Sequence, residues 1–162
     1  DERLIDIIQA CSELPGYRIF KYIDEHGDKQ VVDSSDVNDY LRQYTGTDYS
    51  AKDFRTWMAS VLAASYLYEQ CQNDDEAALL ASEANSKERE QYVVDMVKTV
   101  AGKLGNTPSV CRSSYIHPKV IDSFLNGTFY ERYKSARRGR TKAYQHTDEK
   151  ALLGFLKSAN DW

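Results

Sequence analysis

Apolar side chains in this chain recur mostly at three- and four-residue intervals, and only one short stretch is rich in strand formers. Leu4, Ile8, Cys11 and Leu14, with Ile5 and Ile7 beside them, make a first helical stripe that Pro15-Gly16 stops. Tyr17 to Ile23 is the β-rich stretch, and Asp24-Glu25-His26-Gly27-Asp28 after it reads as a turn. Ser34 or Ser35 caps a short helix carrying Val37, Tyr40, Leu41 and Tyr44, ended at Gly46. Ser50-Ala51-Lys52-Asp53 has capping-box-like spacing, and the helix it opens is predicted to bury Phe54, Trp57, Met58, Val61, Leu62 and Ser65.

The second half continues the pattern. Gln72 to Lys87 is polar and Ala-rich, predicted as a loop followed by more helix. Val93, Met96, Val97, Val100, Ala101 and Leu104 form one stripe, with Gly105 as its C′ residue. Thr107-Pro108 reads as an N-cap followed by proline at the first helical position, which puts Asn106 in a tight interhelical junction. The next helix is predicted to run through Tyr115, to be adjusted near Pro118, and to continue with Val120, Ile121, Phe124 and Leu125. Two more helices follow, around 129–137 and 148–159. The expectation is one mainly α unit with little or no β and no internal repeat.

Composition narrows the class. The chain has 162 residues, 21 Lys+Arg against 25 Asp+Glu, and a formal charge of −4. Its residue usage is that of a globular protein, and no apolar run approaches the roughly 20 residues of a membrane span. Cys11, Cys71 and Cys111 are odd in number and far apart, which supports neither a disulfide framework nor a zinc site and favours a reducing, cytoplasmic location.

The average charge hides an asymmetry. Residues 1–81 carry 16 acids and 7 bases, a net of −9, whereas 82–162 carry 9 acids and 14 bases, a net of +5. Arg132, Lys134, Arg137, Arg138, Arg140 and Lys142 fall within eleven acid-poor residues, interleaved with tyrosines. Such a cluster is either a phosphate contact or a solvated helix end, and charge alone leaves both open.

There is no Gly-rich phosphate loop, HExxH, EF-hand loop or GxSxG elbow. His26, His117 and His146 have no obvious partners and read singly as surface residues. Three strings carry more: Lys52-Asp53-Phe54-Arg55-Thr56-Trp57, Leu104-Gly105-Asn106-Thr107-Pro108, and Ser113-Ser114-Tyr115-Ile116-His117-Pro118. An arginine, an amide and a phenol gathered at helix starts suit attack on a phosphodiester. The guanidinium offers a planar fork to non-bridging oxygens, the amide a neutral donor, and the phenol a nucleophile. Each also has a plainer reading: Arg55 as a salt-bridge partner, Asn106 as a turn residue, Tyr115 as packing.

In order and spacing these strings closely resemble the catalytic domain of type IB DNA topoisomerases, in particular the small bacterial and poxvirus-like enzymes. The likeness takes in Val37 to Leu41, Thr47, Ser50 to Trp57, Leu104 to Pro108, Val110 to Pro118 and Ile121 to Gly127. Tyrosine recombinases share the ancestral fold and remain the alternative enzyme, and a non-enzymatic helical DNA-binding module the alternative of another class. Lys52 and Thr56-Trp57 favour the topoisomerase. The resemblance implies the helical part of the fold shared by topoisomerase IB and tyrosine recombinases. It also implies that Tyr115 forms a 3′-phosphotyrosyl link, that Arg55 holds a non-bridging oxygen, and that Asn106 stands where many relatives have histidine. Lys52 is expected to position its helix or to contact phosphate. Arg112, Lys119, Arg137, Arg138 and Arg140 are further candidate DNA contacts.

The family pattern also has an arginine and a general-acid lysine on a β-hairpin, and a DNA-clamping N-terminal domain. All are expected upstream of Asp1, so the chain reads as a C-terminal catalytic-domain fragment, and it is expected to relax supercoils poorly by itself. The implied partner is duplex DNA, bound by a monomer, at the nucleoid if the source is bacterial. Neither metal nor other cofactor is implied, and no membrane.

Overall fold

The computed structural model describes residues 2–71, 73–138 and 146–158, with the side chains of Glu2 and Arg3 left aside. It divides into two compact units, 1–53 and 54–162, and the division falls within the first turn of one long helix.

In the first unit, α1 spans Glu2–Glu13, and a two-stranded antiparallel hairpin pairs β1 (Lys21–Ile23) with β2 (Lys29–Val31), Tyr22 opposite Gln30. The strands occupy the end of the β-rich stretch and the residues after the turn. Asp24 organises that turn: Oδ1 accepts from the N–H groups of His26 and Asp28, and Oδ2 accepts from Gln30 Nε2 at 2.8 Å. The Gln30 bond leads the set that holds the Asp24 carboxyl below its ordinary value. Helix α2, Ser34–Thr45, is capped by Asp33 rather than by a serine. Asp33 accepts from the N–H groups of Ser35 and Asp36, while Asp36 accepts from Asp33 N–H, a complete capping box. A carboxylate wins the cap position because it accepts two donors at once. Gly46 closes α2 at φ 67°.

The apolar face of α1 is not a core face: Leu4, Ile5, Ile7 and Ile8 are all exposed. The buried residue of this unit, among the described residues, is a lysine. Lys21 is 3% exposed and its ammonium donates to Gly16 O at 2.8 Å. Its stem lies inside while its charge finds a loop carbonyl.

Helix α3, Ala51–Glu69, begins where Asp53 Oδ2 accepts both the N–H and the hydroxyl of Ser50, so half of the expected capping box forms. From Phe54 on, α3 belongs to the second unit. There follow α4 (Asp74–Ala81), a single 3₁₀ turn (Glu83–Asn85), α5 (Ser86–Leu104), α6 (Pro108–Ser114), α7 (Pro118–Leu125), α8 (Phe129–Arg137) and α9 (Thr147–Lys157). The mainly α expectation holds, and of the stretch expected as a loop followed by helix, Gln72 lies outside the described residues while α4, the 3₁₀ turn and the start of α5 supply the helix.

The core of this unit is the α5 stripe, Val93 to Ala101, packed with Val120, Ile121 and Phe124 of α7. An aromatic cluster continues it: Phe129 stacks on Tyr133 at 5.1 Å and meets Phe155 edge-on at 5.3 Å. Helix α3 departs from expectation. It buries Ala59, Ser60, Val61, Ala63, Ala64 and Leu67, while Phe54 and Met58 are exposed. Val61 is buried as expected, and the rest of the buried face is mostly small residues with Leu67, which let neighbouring backbones come close and still exclude water.

Arg89 is the buried charge that holds several helix ends. It is 6% exposed, and its guanidinium donates to Leu125 O at 2.8 Å, to Ser82 O at 2.6 Å and to Leu80 O. These carbonyls end α7 and α4 and would otherwise be buried without partners. Gly127 closes the same corner: its φ is 78°, and a Cβ there would stand 2.7 Å from Ala81 O.

Candidate active site

Three junctions of the second unit place the chemistry. The first is the start of α3, where Arg55 is exposed and its Nη2 donates to Leu104 O at 2.8 Å. Leu104 is the last residue of α5, so this carbonyl is one of those a helix end leaves unpaired, at the negative end of the dipole. A guanidinium has five N–H donors, so one bond to Leu104 still leaves a fork for an oxyanion.

The second junction is the α5–α6 turn. Gly105 adopts the left-handed conformation at φ 67°, and Asn106 N–H donates to Ala101 O at 3.0 Å, the pairing of a Schellman ending. Thr107 then caps α6 with Pro108 in its first turn, as the sequence predicts. Asn106 Nδ2 is buried and has no hydrogen-bond partner. A buried amide donor without an acceptor costs about 1–3 kcal/mol, and such a group asks for a reason. An oxygen of a bound phosphodiester would satisfy it.

The third junction holds Tyr115. The sequence predicts a helix running through this residue, but α6 ends at Ser114 and Tyr115 is its C-cap, at φ −124° and ψ −29°. The reason lies two residues on. His117 precedes a proline and takes extended backbone at ψ 124°, so α7 restarts with Pro118 in its first turn. The N–H groups of Tyr115 and Ile116 both turn back to Cys111 O. Tyr115 is half-buried against the core, and the Arg55 guanidinium carbon lies 5.5 Å from its ring centroid. That is within cation–π range, and it joins residues sixty positions apart. Arg55 and Tyr115 are thus in contact, and the Arg55–Leu104 bond brings the guanidinium to within two residues of Asn106.

His117 is no simple surface residue. It caps α7, its Nδ1 accepting from Lys119 N–H at 3.2 Å, and desolvation, followed by the Lys119 charge, pushes its pKa down. Ser60, which the sequence did not single out, touches the backbone around Tyr115. Arg89, which holds the ends of α4 and α7, was not singled out either, and its position on the α5 stripe, four residues before Val93, is a signal that could have found it.

The candidate DNA contacts are dispersed. Lys52 is exposed in the first turn of α3, three residues before Arg55, and lies in the first unit. Arg112 is exposed in the last turn of α6 and lines an open groove with Ser109, Ser113 and Asp122. Lys119 is half-buried in the first turn of α7.

Part of the basic cluster is spent on packing. Arg137 lies 2.7 Å from Asp148 in an ion pair and 5.2 Å from the Tyr68 ring centroid. Arg132 covers Phe155 at 5.2 Å, and Lys134 pairs with Asp74. Arg138 is exposed, and its carbonyl accepts from Lys150 Nζ. Arg140 and Lys142 lie outside the described residues. Among the described residues, no group of three His, Cys, Asp or Glu side chains stands ready to hold a metal, and no helix is long and apolar enough to cross a membrane.

The described residues form a mainly α fold that sets an arginine, a buried amide and a tyrosine at helix junctions. Residues 1–141 match the family described as the eukaryotic DNA topoisomerase I catalytic core, and the chain belongs to that family. It is similar to the DNA topoisomerase 1B of Acanthamoeba polyphaga mimivirus, with 27% identity over 126 residues, 75% of this chain and 35% of the viral protein. The chain thus spans about a third of that relative's length.

Proposed function

We propose that the protein is a type IB DNA topoisomerase, and that residues 1–162 supply part of its catalytic site. Tyr115 attacks the scissile phosphate of one strand of duplex DNA. The phosphotyrosyl link forms on the 3′ side and the 5′-oxygen leaves. Arg55 holds a non-bridging oxygen of the pentacoordinate phosphate, and Asn106 donates a neutral hydrogen bond to it. The duplex swivels about its intact strand, and the 5′-hydroxyl then attacks the phosphotyrosine to reseal. The link conserves the energy of the phosphodiester, so ATP has no part to play.

A general-acid lysine of the kind the resemblance implies protonates the leaving 5′-oxygen, a step typically worth about 10²–10⁴-fold, and a second arginine joins Arg55. The observation that carries the reading is the Arg55 guanidinium over the Tyr115 ring at 5.5 Å. Arg55 is anchored by Leu104 O and Tyr115 by the core, and their contact leaves guanidinium N–H groups beside the phenol, where they could hold a phosphate that the phenol attacks. Arg112, Lys119, Lys52 and Arg138 are further contacts to the duplex, which the protein engages as a monomer.

The test is relaxation of supercoiled plasmid by the protein at its full natural length. Relaxation without any nucleotide triphosphate, removing supercoils of either sign, is expected. The 162-residue chain alone is expected to relax poorly or not at all. Strand exchange between two duplexes in place of relaxation would overturn the reading in favour of a recombinase.

A further inference from the structure

The backbone that carries Tyr115 is bracketed from another helix by one side chain. Ser60 lies in the middle of α3 and is 3% exposed. Its oxygen accepts from His117 N–H at 2.9 Å. Its hydroxyl has two acceptors within reach, Thr56 O in the preceding turn at 2.9 Å and Tyr115 O at 3.3 Å. One hydroxyl therefore meets the three-residue link between α6 and α7 on both sides of Ile116, and adds a tie to α3 beside the link's own bonds to α6 and α7.

Ser60 also stands five residues after Arg55 on the same helix, a rise of roughly 7.5 Å. A rigid element thus holds the anion-binding fork at one point and the nucleophile's backbone at another. Ala59 and Ala63 of the same helix are fully buried, so Ser60 lies on the buried face of α3.

We infer that Ser60 is a positioning residue for Tyr115, which sets the phenol's approach to a phosphate held by Arg55; this rests on the reading of Tyr115 as nucleophile. In-line attack tolerates little error, since a misplacement of about 1 Å can cost on the order of 100-fold. Removing the hydroxyl releases both the His117 N–H and the Tyr115 carbonyl, so the loss falls on geometry and not on DNA affinity. Because cleavage and resealing pass through the same pentacoordinate arrangement, both slow together.

The test is single-turnover cleavage of a suicide duplex by the full-length natural protein, reading separately the rate constant, the active fraction and the DNA dissociation constant. Ser60→Ala is expected to lower the rate constant at least tenfold, with the active fraction and dissociation constant unchanged. Ser123→Ala is the control, because Ser123 is also buried but, among the described residues, its hydroxyl bonds to Lys119 O and Val120 O of its own helix and not across to another. It is expected to cleave within twofold of the unaltered protein.

Ser60→Cys, close in size but a weaker hydrogen-bonding group, should fall between the two. It decides the matter if the alanine variant does not fold. A rate constant within twofold of the unaltered protein in either Ser60 variant, a loss confined to the active fraction, or equal slowing in Ser123→Ala overturns the inference. Tyr115→Phe run alongside separates the two claims. If it still forms the adduct, the nucleophile assignment fails, whereas if it is inert and Ser60→Ala is fast, only the positioning role does.

Discussion

The guanidinium of Arg55 lies 5.5 Å from the ring centroid of Tyr115, held there by a bond to the last carbonyl of α5. If Tyr115 is the nucleophile, the charged planar donor beside it acts on the developing phosphorane, while Asn106 adds one neutral donor. Arg55→Ala is therefore expected to slow DNA cleavage by about 100-fold, about 2.7 kcal/mol of transition-state stabilisation. Asn106→Ala is expected to cost about tenfold. Single-turnover rates on one duplex compare them, and a larger loss at Asn106 contradicts this division of roles.

Folding stability should carry a His117 signature in acid. Burial pushes its pKa below 6.5, and its Nδ1 must be unprotonated to accept from Lys119 N–H. Above pH 6.5 both the folded and the unfolded chain hold it neutral. As pH falls below 6.5 the unfolded chain takes up a proton that the folded chain resists, so stability falls until the lower folded value is passed. His117→Asn, which can cap the same helix, should show a shallower fall in melting temperature between pH 6.5 and 5. Equal slopes would refute this.

Arg89 should matter more for stability than any surface base. Its three acceptor carbonyls belong to α4, the residue after it, and α7. Arg89→Met fills similar space but leaves those carbonyls without a charged donor, at an expected cost of about 3 kcal/mol or more. The urea midpoint should fall with the slope unchanged, and a midpoint like the unaltered protein's would show that water replaces the guanidinium.

Within the basic cluster, neighbouring arginines are expected to separate by readout. Arg138→Ala should lower the slope of log Kobs against log salt for duplex binding by about 0.9, the mark of one lost phosphate contact. Arg137→Ala should mainly lower the melting temperature, because it gives up Asp148 and Tyr68. The reverse assignment would mean that the ion pair opens when DNA binds.

Much of this was legible in the sequence, but unevenly. The α5 stripe, the Gly105 ending and the Thr107-Pro108 start were readable because each rests on local backbone chemistry. The buried face of α3 was not, since alanines weigh little in a hydrophobic pattern and the large Phe54 and Met58 drew the stripe to the exposed side. The end of α6 one residue before Tyr115 was misplaced because a proline acts on the residue before it, and the break propagated further back. The Arg55–Tyr115 contact could be expected from the resemblance but not from spacing, and Ser60, a small polar residue in an apolar stripe, gave no signal on its own.

The most direct measurement of the central claim is capture of the covalent intermediate by the full-length protein on a suicide duplex whose label stays on the 3′-phosphate side of the break. The account predicts a labelled protein adduct, linked through Tyr115 and absent from Tyr115→Phe. An undiminished adduct in that variant, or one mapped to another tyrosine, would contradict it.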